Sequence, residues 1–391
     1  MAAKPHRRAM RIWRALLLLL LLPVPALADG LSADGLARLT AALRGDVEAG
    51  RYPGAVVLIE KDGAVVYREA VGELAPGGPP MRPDAIFRIA SMTKPITSVA
   101  ALMLVEDGKL ALDDPLHKSL PAFAAPQVLL STGGTRPAAR PITIRDLMRH
   151  TAGMIYGVFA PGSSLGQSYM RAGITDADRP LAAWTEALAG LPLAADPGTE
   201  WQYGRATDVL GRVVEVAGGD TLDKVMAARI FGPLGMADTG FVLNEAQAAR
   251  MTQMAPPRDR FDPTRAPVLL SGGGGLLSTA DDYLVFCRML LAGGGALLRP
   301  ATVAAMTRDQ LDGIHFPIPG NGFGLGVAVR TDARTRRPGS VGNYGWSGYY
   351  GSTFWVDPAR RLIVIAMMQN PDYRRDFWRQ LRTLVYAALP D

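Results

Sequence analysis

Ser91 opens the segment Ser91-Met92-Thr93-Lys94-Pro95-Ile96-Thr97, so a lysine follows a serine at the i+3 position. On a helix, residues three apart share a face and their side chains meet. Pro95 marks a helix start, because a residue without an N–H is tolerated where a helix begins. Ser91 then lies at the positive end of the helix dipole, where an oxyanion formed during acyl transfer is favoured. A lysine shielded from water beside it loses its proton more readily and can serve as base for the hydroxyl. The spacing therefore points to a nucleophile with its base. Taken alone, S-x-x-K fixes two positions, and many such pairs lie on solvated helix faces. Lysine is scarce here, however, confined to Lys4, Lys61, Lys94, Lys109, Lys118 and Lys224, and only Lys94 has a serine three residues before it. Such a pair needs a third group to pass the proton to the leaving group, and a tyrosine held near cations can do this. Tyr203, which follows the Pro197-Gly198 turn and precedes a helix, is the candidate.

The elements that must position these residues can be read from periodicity. Ile96, Val99, Leu102 and Leu104 continue past the pair as a buried helix. Residues 31–47 read as a helix, and 54–60 with 64–67 as two strands around the Lys61-Asp62-Gly63 turn. From about 109 to 267 the chain is rich in alanine, proline and helical segments. Thr143 with Asp146 forms a capping box there, and 208–217 forms a helix ended by Gly218-Gly219. Strand character returns at 323–330, 352–356 and 362–368, after a glycine run at 272–275 and a helix from Ser278, and a last helix covers about 372–389. Strands at both ends around a helical middle predict one sheet built from the two ends of the chain.

Composition narrows the function. The 391 residues fit one large fold with an inserted lobe. Lys4, Arg7, Arg8, Arg11 and Arg14, the apolar run 15–22 and Ala26-Leu27-Ala28 form a secretory signal peptide, residues 1–28, cut after Ala28. That predicts a periplasmic or secreted protein, and with no cysteine just after the cut no stable membrane anchor is expected. Loss of those five charges takes the formal +6 to about +1, so no nucleic-acid partner is implied. Cys287 is the only cysteine, which excludes an internal disulfide. The four histidines are too dispersed for a metal-ligand pair, so neither a metal nor an organic cofactor is expected. His150, at the end of a short helix, reads as a partner of the helix dipole.

Together, SMTKPIT, ITIRDLMRHTAG, PGTEWQYG, SGGGGLLSTADDY and GWSGYYGSTFWVDP, in order from about residue 35 to 388, resemble the serine beta-lactamase-related family. That family includes class C beta-lactamases, D-Ala-D-Ala carboxypeptidases and esterases. The resemblance implies an α+β, beta-lactamase/transpeptidase-like fold: an antiparallel sheet flanked by helices, with residues 29–110 and 268–391 forming the α/β part and 111–267 an inserted helical lobe. It implies Ser91 as nucleophile, Lys94 as base, Tyr203 as second proton-transfer group, and the backbone N–H groups of Ser91 and Tyr349 as oxyanion hole. The family's third motif, a Lys or His followed by Thr or Ser and Gly, falls on Trp346-Ser347-Gly348.

Two departures bear on substrate. The tyrosine motif ends in Arg205 where the family has Asn, and Trp346 stands where the family has a cation. An indole offers an apolar face and one N–H donor, so recognition of an anionic group there should be poor. With Trp346, Tyr349, Tyr350 and Trp201 along the cleft, and Trp346, Ser347, Gly348, Arg205 and Tyr156 as substrate-binding residues, the chain reads as an esterase for small or apolar acyl groups, with Arg205 available to anchor a carboxylate from another side. The alternatives are a beta-lactamase or carboxypeptidase acting on amides, and a non-catalytic cell-wall or beta-lactam binder. A G-x-S-x-G pattern at Gly162–Gly166 lacks the strand before it that a nucleophile elbow needs and reads as a loop. The segment 156–159 reads as a cover over the cleft.

Overall fold

The computed structural model describes residues 1–2, 30–254 and 262–390; all but the first two residues of the signal-peptide reading lie outside that range. The chain begins with helix α1 (Ala33–Glu48), capped by the Ser32 hydroxyl, and passes into the hairpin β1 (Gly54–Lys61) and β2 (Ala64–Gly72). A 3-10 turn at Ala90–Met92 leads into helix α2 (Thr93–Glu106), so Ser91 stands just ahead of the helix and Lys94 within its first turn. Helices α3 (Ile144–Met148), α4 (Ser164–Arg171) and α5 (Ala206–Gly218) follow, then α6 (Ala280–Leu291). The last part supplies β3 (Asn321–Phe323), β4 (Ala328–Arg330), β5 (Tyr344–Ser347), β6 (Thr353–Asp357), β7 (Leu362–Met368) and helix α7 (Arg374–Ala387).

The seven strands form one antiparallel sheet in the order β2-β1-β7-β6-β5-β4-β3. Ala55 faces Met368 and Phe354 faces Trp346, so the two ends of the chain meet at its centre. The alternation of side chains separates two cores. On one face Val57, Val364 and Trp355 pack with Leu39 and Leu43 of α1 and with Phe377, Leu381 and Val385 of α7. On the other, Val56, Ile363 and Phe354 pack with α2, α5 and α6 through Ile96, Val99, Val209, Val213 and Phe286. The buried α2 thus holds Lys94 beneath the sheet's edge.

Three readings change in detail. Residues 323–330 form two short strands and not one: Gly326 turns the chain out of the extended conformation (φ 97°) where it passes so close to Ser98 of α2 that a side chain would collide. The glycine-flanked serines are not a loop: Ser163 caps α4 by accepting the Gly166 N–H, and Ser164 opens that helix with no strand ahead of it. The helical middle also carries a two-stranded ribbon, Gln127–Leu129 with Thr135–Pro137.

Candidate active site

Ala90, directly before the nucleophile candidate, is held at φ 45°, a costly conformation for a residue with a Cβ. That turn sets the Ser91 hydroxyl on the floor of a cleft of about 1020 Å³, and Lys94 lies fully buried behind it. The Lys94 ammonium donates to Ser91 Oγ at 3.2 Å, to Tyr156 Oη at 3.0 Å and to the Gly273 carbonyl at 2.7 Å. Three N–H bonds meet three acceptors, which satisfies the charged form completely. Tyr203 approaches differently: its ring face lies 4.8 Å from Lys94 Nζ, and its hydroxyl accepts from Trp346 Nε1 at 3.4 Å.

These surroundings reverse one expectation. Burial pulls the Lys94 ammonium down as the sequence reading held, but Tyr156, Tyr203 and Asp208 outweigh it, and the group sits above its ordinary value. Burial also raises Tyr156, although the Lys94 charge opposes this. At rest the pair is an ammonium beside a neutral phenol. Tyr156, expected as a substrate-binding residue at the cover of the cleft, is a hydroxyl bonded to the lysine. Sequence alone gave it no motif.

Asp208 is a second residue that the sequence reading missed. Fully buried at the start of α5, it accepts from Ser271 Oγ at 2.5 Å and from the Gly273 N–H at 3.0 Å, and Arg205 Nη1 lies 3.5 Å away. It fixes the glycine run whose Gly273 carbonyl holds Lys94, and a Cβ at Gly273 would press on the Asp208 carboxylate at 2.9 Å. Arg205 is turned to this ion pair and lies over the Tyr156 ring at 4.8 Å. It touches the cleft wall, but its charge is engaged.

Trp346 and Ser347 belong to β5, with Ser347 Oγ 2.8 Å from Thr353 Oγ1, and the Gly348 N–H closes a turn onto the Ser352 carbonyl. None of that turn's hydrogen bonds uses the Tyr349 N–H, and Tyr349 and Ser91 both line the cleft. Around them the aromatic residues are continuous. Trp201 stacks on Tyr203 at 5.8 Å, and Phe323 meets Trp346 edge-on at 5.2 Å. His150, buried with φ 59°, has its ring 4.9 Å from that of Tyr203. Burial first, then the charge of Lys94, push its imidazole well below the ordinary range. It is a neutral brace and not a charged dipole partner; its carbonyl accepts the Gln202 N–H at 2.8 Å. Tyr156, Val158 and Phe159 form one wall of the cleft, with Phe159 60% exposed. Among the described residues no group of histidine, cysteine and carboxylate side chains is placed to hold a metal ion.

A serine beside a buried lysine, two tyrosines and a strand edge, on a sheet covered by helices, defines a serine hydrolase of the acyl-enzyme type. The beta-lactamase family model matches residues 39–387, and the chain belongs to that family. It is 37% identical to esterase EstB of Burkholderia gladioli over 86% of this chain and 91% of the relative. It is 32% identical to lovastatin esterase of Penicillium rubens, over 83% and 90%. Among solved structures, EstCE1, a hydrolase with promiscuous acyltransferase activity, superposes with a TM-score of 0.78 at 30% identity, covering 90% of this chain and 99% of that one.

Proposed function

We propose that this protein is an exported carboxylic-ester hydrolase with an acyl-enzyme on Ser91. The carrying observation is that the same lysine binds the Ser91 and Tyr156 hydroxyls, in a cleft where β5 presents the Trp346 indole ahead of Ser347-Gly348. Once the Lys94–Tyr156 pair has released one proton to water, Lys94 takes the Ser91 proton as Oγ bonds to the ester carbonyl carbon. The N–H groups of Ser91 and Tyr349 hold the oxyanion. Its collapse breaks the bond to the alkoxide, which Tyr203 protonates; the Tyr203 phenolate then takes a proton from the water that attacks the acyl-enzyme, and Lys94 returns its proton to Ser91 Oγ as the acyl bond breaks. The names of the relatives, two esterases and a hydrolase that also transfers acyl groups, support esters over amides. The basic and apolar segment 1–28 supports export.

A series of p-nitrophenyl esters of increasing acyl length, run beside nitrocefin and a D-Ala-D-Ala peptide, tests the reading. Ester turnover should exceed that of both, and a fluorophosphonate should add mass at Ser91 and not in Ser91→Ala. Preferential turnover of nitrocefin would overturn the preference for esters. Acylation without any turnover would favour the binding protein.

A further inference from the structure

The cleft continues beyond the aromatic residues at Ser91. It follows β5 to the β4–β5 hairpin, where Arg330, Arg337 and Arg382 line it together. The Arg330 N–H donates to the Asn343 carbonyl at 2.8 Å, which places it four strand residues from Ser347, ~13 Å along the strand. The guanidinium of Arg330 donates to the carbonyls of Arg337, Ala333 and Thr335. Arg382, on α7, donates to the Pro338 carbonyl at 3.1 Å and lies 4.4 Å over the Trp355 ring. The acid facing this group, Asp357, accepts the Ser340 N–H at 3.0 Å and the Tyr386 hydroxyl at 2.8 Å through Oδ2 and is not within ion-pair distance of any of the three, while its Oδ1 is buried without a hydrogen-bond partner. Many other arginines have carboxylate partners, as in Arg44–Glu69, Arg68–Asp281 and Arg145–Asp113, although Arg374 and Arg375, nearer Tyr349 along the cleft, are in no such pair among the described residues. Among the described residues, none of Arg330, Arg337 and Arg382 has one within ion-pair distance. Burial and the like charges of Arg337 and Arg330 push the half-buried Arg382 down to about 10. An oxyanion placed there would engage forked donors and relieve the repulsion.

We propose that the hairpin end of the cleft is an oxyanion subsite formed by Arg330, Arg337 and Arg382, which holds a carboxylate or phosphate at the far end of the substrate's acyl chain. The subsite is assigned to the acyl group, which stays on Ser91 through both steps, whereas the alcohol leaves after the first. The inference rests on the ester hydrolysis proposed above. It differs from recognition of a charge beside the reacting carbonyl, the position that Trp346 occupies. A span of ~13 Å corresponds to about eleven extended chain atoms.

The test compares the p-nitrophenyl hemiester of dodecanedioic acid with its neutral methyl diester, the adipic acid pair as a short control, and p-nitrophenyl 12-phosphonooxydodecanoate as the phosphate arm. One long anionic ester should exceed its neutral counterpart about tenfold in kcat/KM, mainly through KM, and the larger ratio assigns the anion. The adipic pair should show no such preference. Added salt should lower the long-chain ratio. Arg337→Gln should bring it towards one, whereas Arg299→Gln, whose arginine pairs with Glu106 outside the cleft, should keep it. Equal rates for the long pair, or a ratio untouched by Arg337→Gln, would overturn the subsite. Fluorophosphonate labelling of Ser91, slowed more by dodecanedioate than by its dimethyl ester, reads the subsite without turnover. That slowing with no hydrolysis of neutral esters would sink the esterase reading alone, and its absence in a labelled enzyme counts against the subsite.

Discussion

Removing the Tyr156 hydroxyl takes away one of the three acceptors that hold the Lys94 ammonium and leaves Tyr203 in place. Lys94 and Tyr156 both sit above their ordinary values, so the wild-type pair keeps its protons at neutral pH and the deprotonated, active form grows as pH rises. The kcat/KM profile should therefore climb through the alkaline range. In Tyr156→Phe the lysine loses a group that raises it, so this limb should move to lower pH while the maximal rate falls, by about 10²-fold if the phenol carries a proton. An unmoved limb would show that Tyr156 is wall only. Trp346 sets a second outcome at this scale. Trp346→Lys places a cation beside Ser91 and removes the N–H donated to Tyr203. Nitrocefin turnover should rise relative to that of apolar p-nitrophenyl esters, measured as a ratio of kcat/KM values. An unchanged ratio would mean that the indole does not select the substrate.

The short helix α3 does more than its length suggests. Its Asp146, fully buried, accepts from Arg140 at 2.6 and 3.0 Å, from the Thr143 N–H at 3.0 Å and from Thr151 Oγ1 at 2.8 Å. Burial alone would raise this carboxyl, but the hydrogen bonds from Arg140, Thr151 and Thr143 outweigh it and hold it below its usual 3.8. Its folded value is depressed, so its contribution is complete above the unfolded value and is lost as pH falls through the folded one. Asp146→Ala leaves buried donors unpaired and should cost about 3 kcal/mol in urea unfolding at neutral pH, a deficit that narrows below about pH 4. A constant deficit would place the effect in packing. The Thr143–Asp146 capping box was legible because a cap is local in sequence, and so were β1, β7, α2 and α7, whose periodicity survives on its own. What escaped depends on contacts between distant segments. Tyr156 reaches Lys94 across the fold, Asp208 acts through the Gly273 loop, and the break between β3 and β4 falls where Gly326 passes against Ser98 of α2. The serine-lysine spacing revealed the pair. It did not reveal the charge state of the lysine, which Tyr156, Tyr203 and Asp208 from distant segments decide.

At the scale of the whole molecule, the helical middle and the sheet share one apolar interior. A single contiguous core joins Val56 and Leu58 of β1 and Ile363 of β7 to Leu147 of α3, Val213 of α5, and Leu222 and Ile230 from the middle of the chain. The sheet itself needs β1 and β7 from opposite ends to pair before its faces can be covered. Neither part can hide its apolar face without the other, because a sheet face and a helix stripe each need a partner layer. Thermal unfolding followed by calorimetry should therefore give one cooperative transition for residues 30–390. A boronic acid that adds reversibly to Ser91 labels only the folded form, so it should move that transition upward as a unit. The cleft between strand β5 and the helical wall at Tyr156 is the seam through which the label would act. Two resolved transitions, only one of them moved by the label, would show that the helical middle folds as a unit of its own and that the shared core is an interface between two folding units.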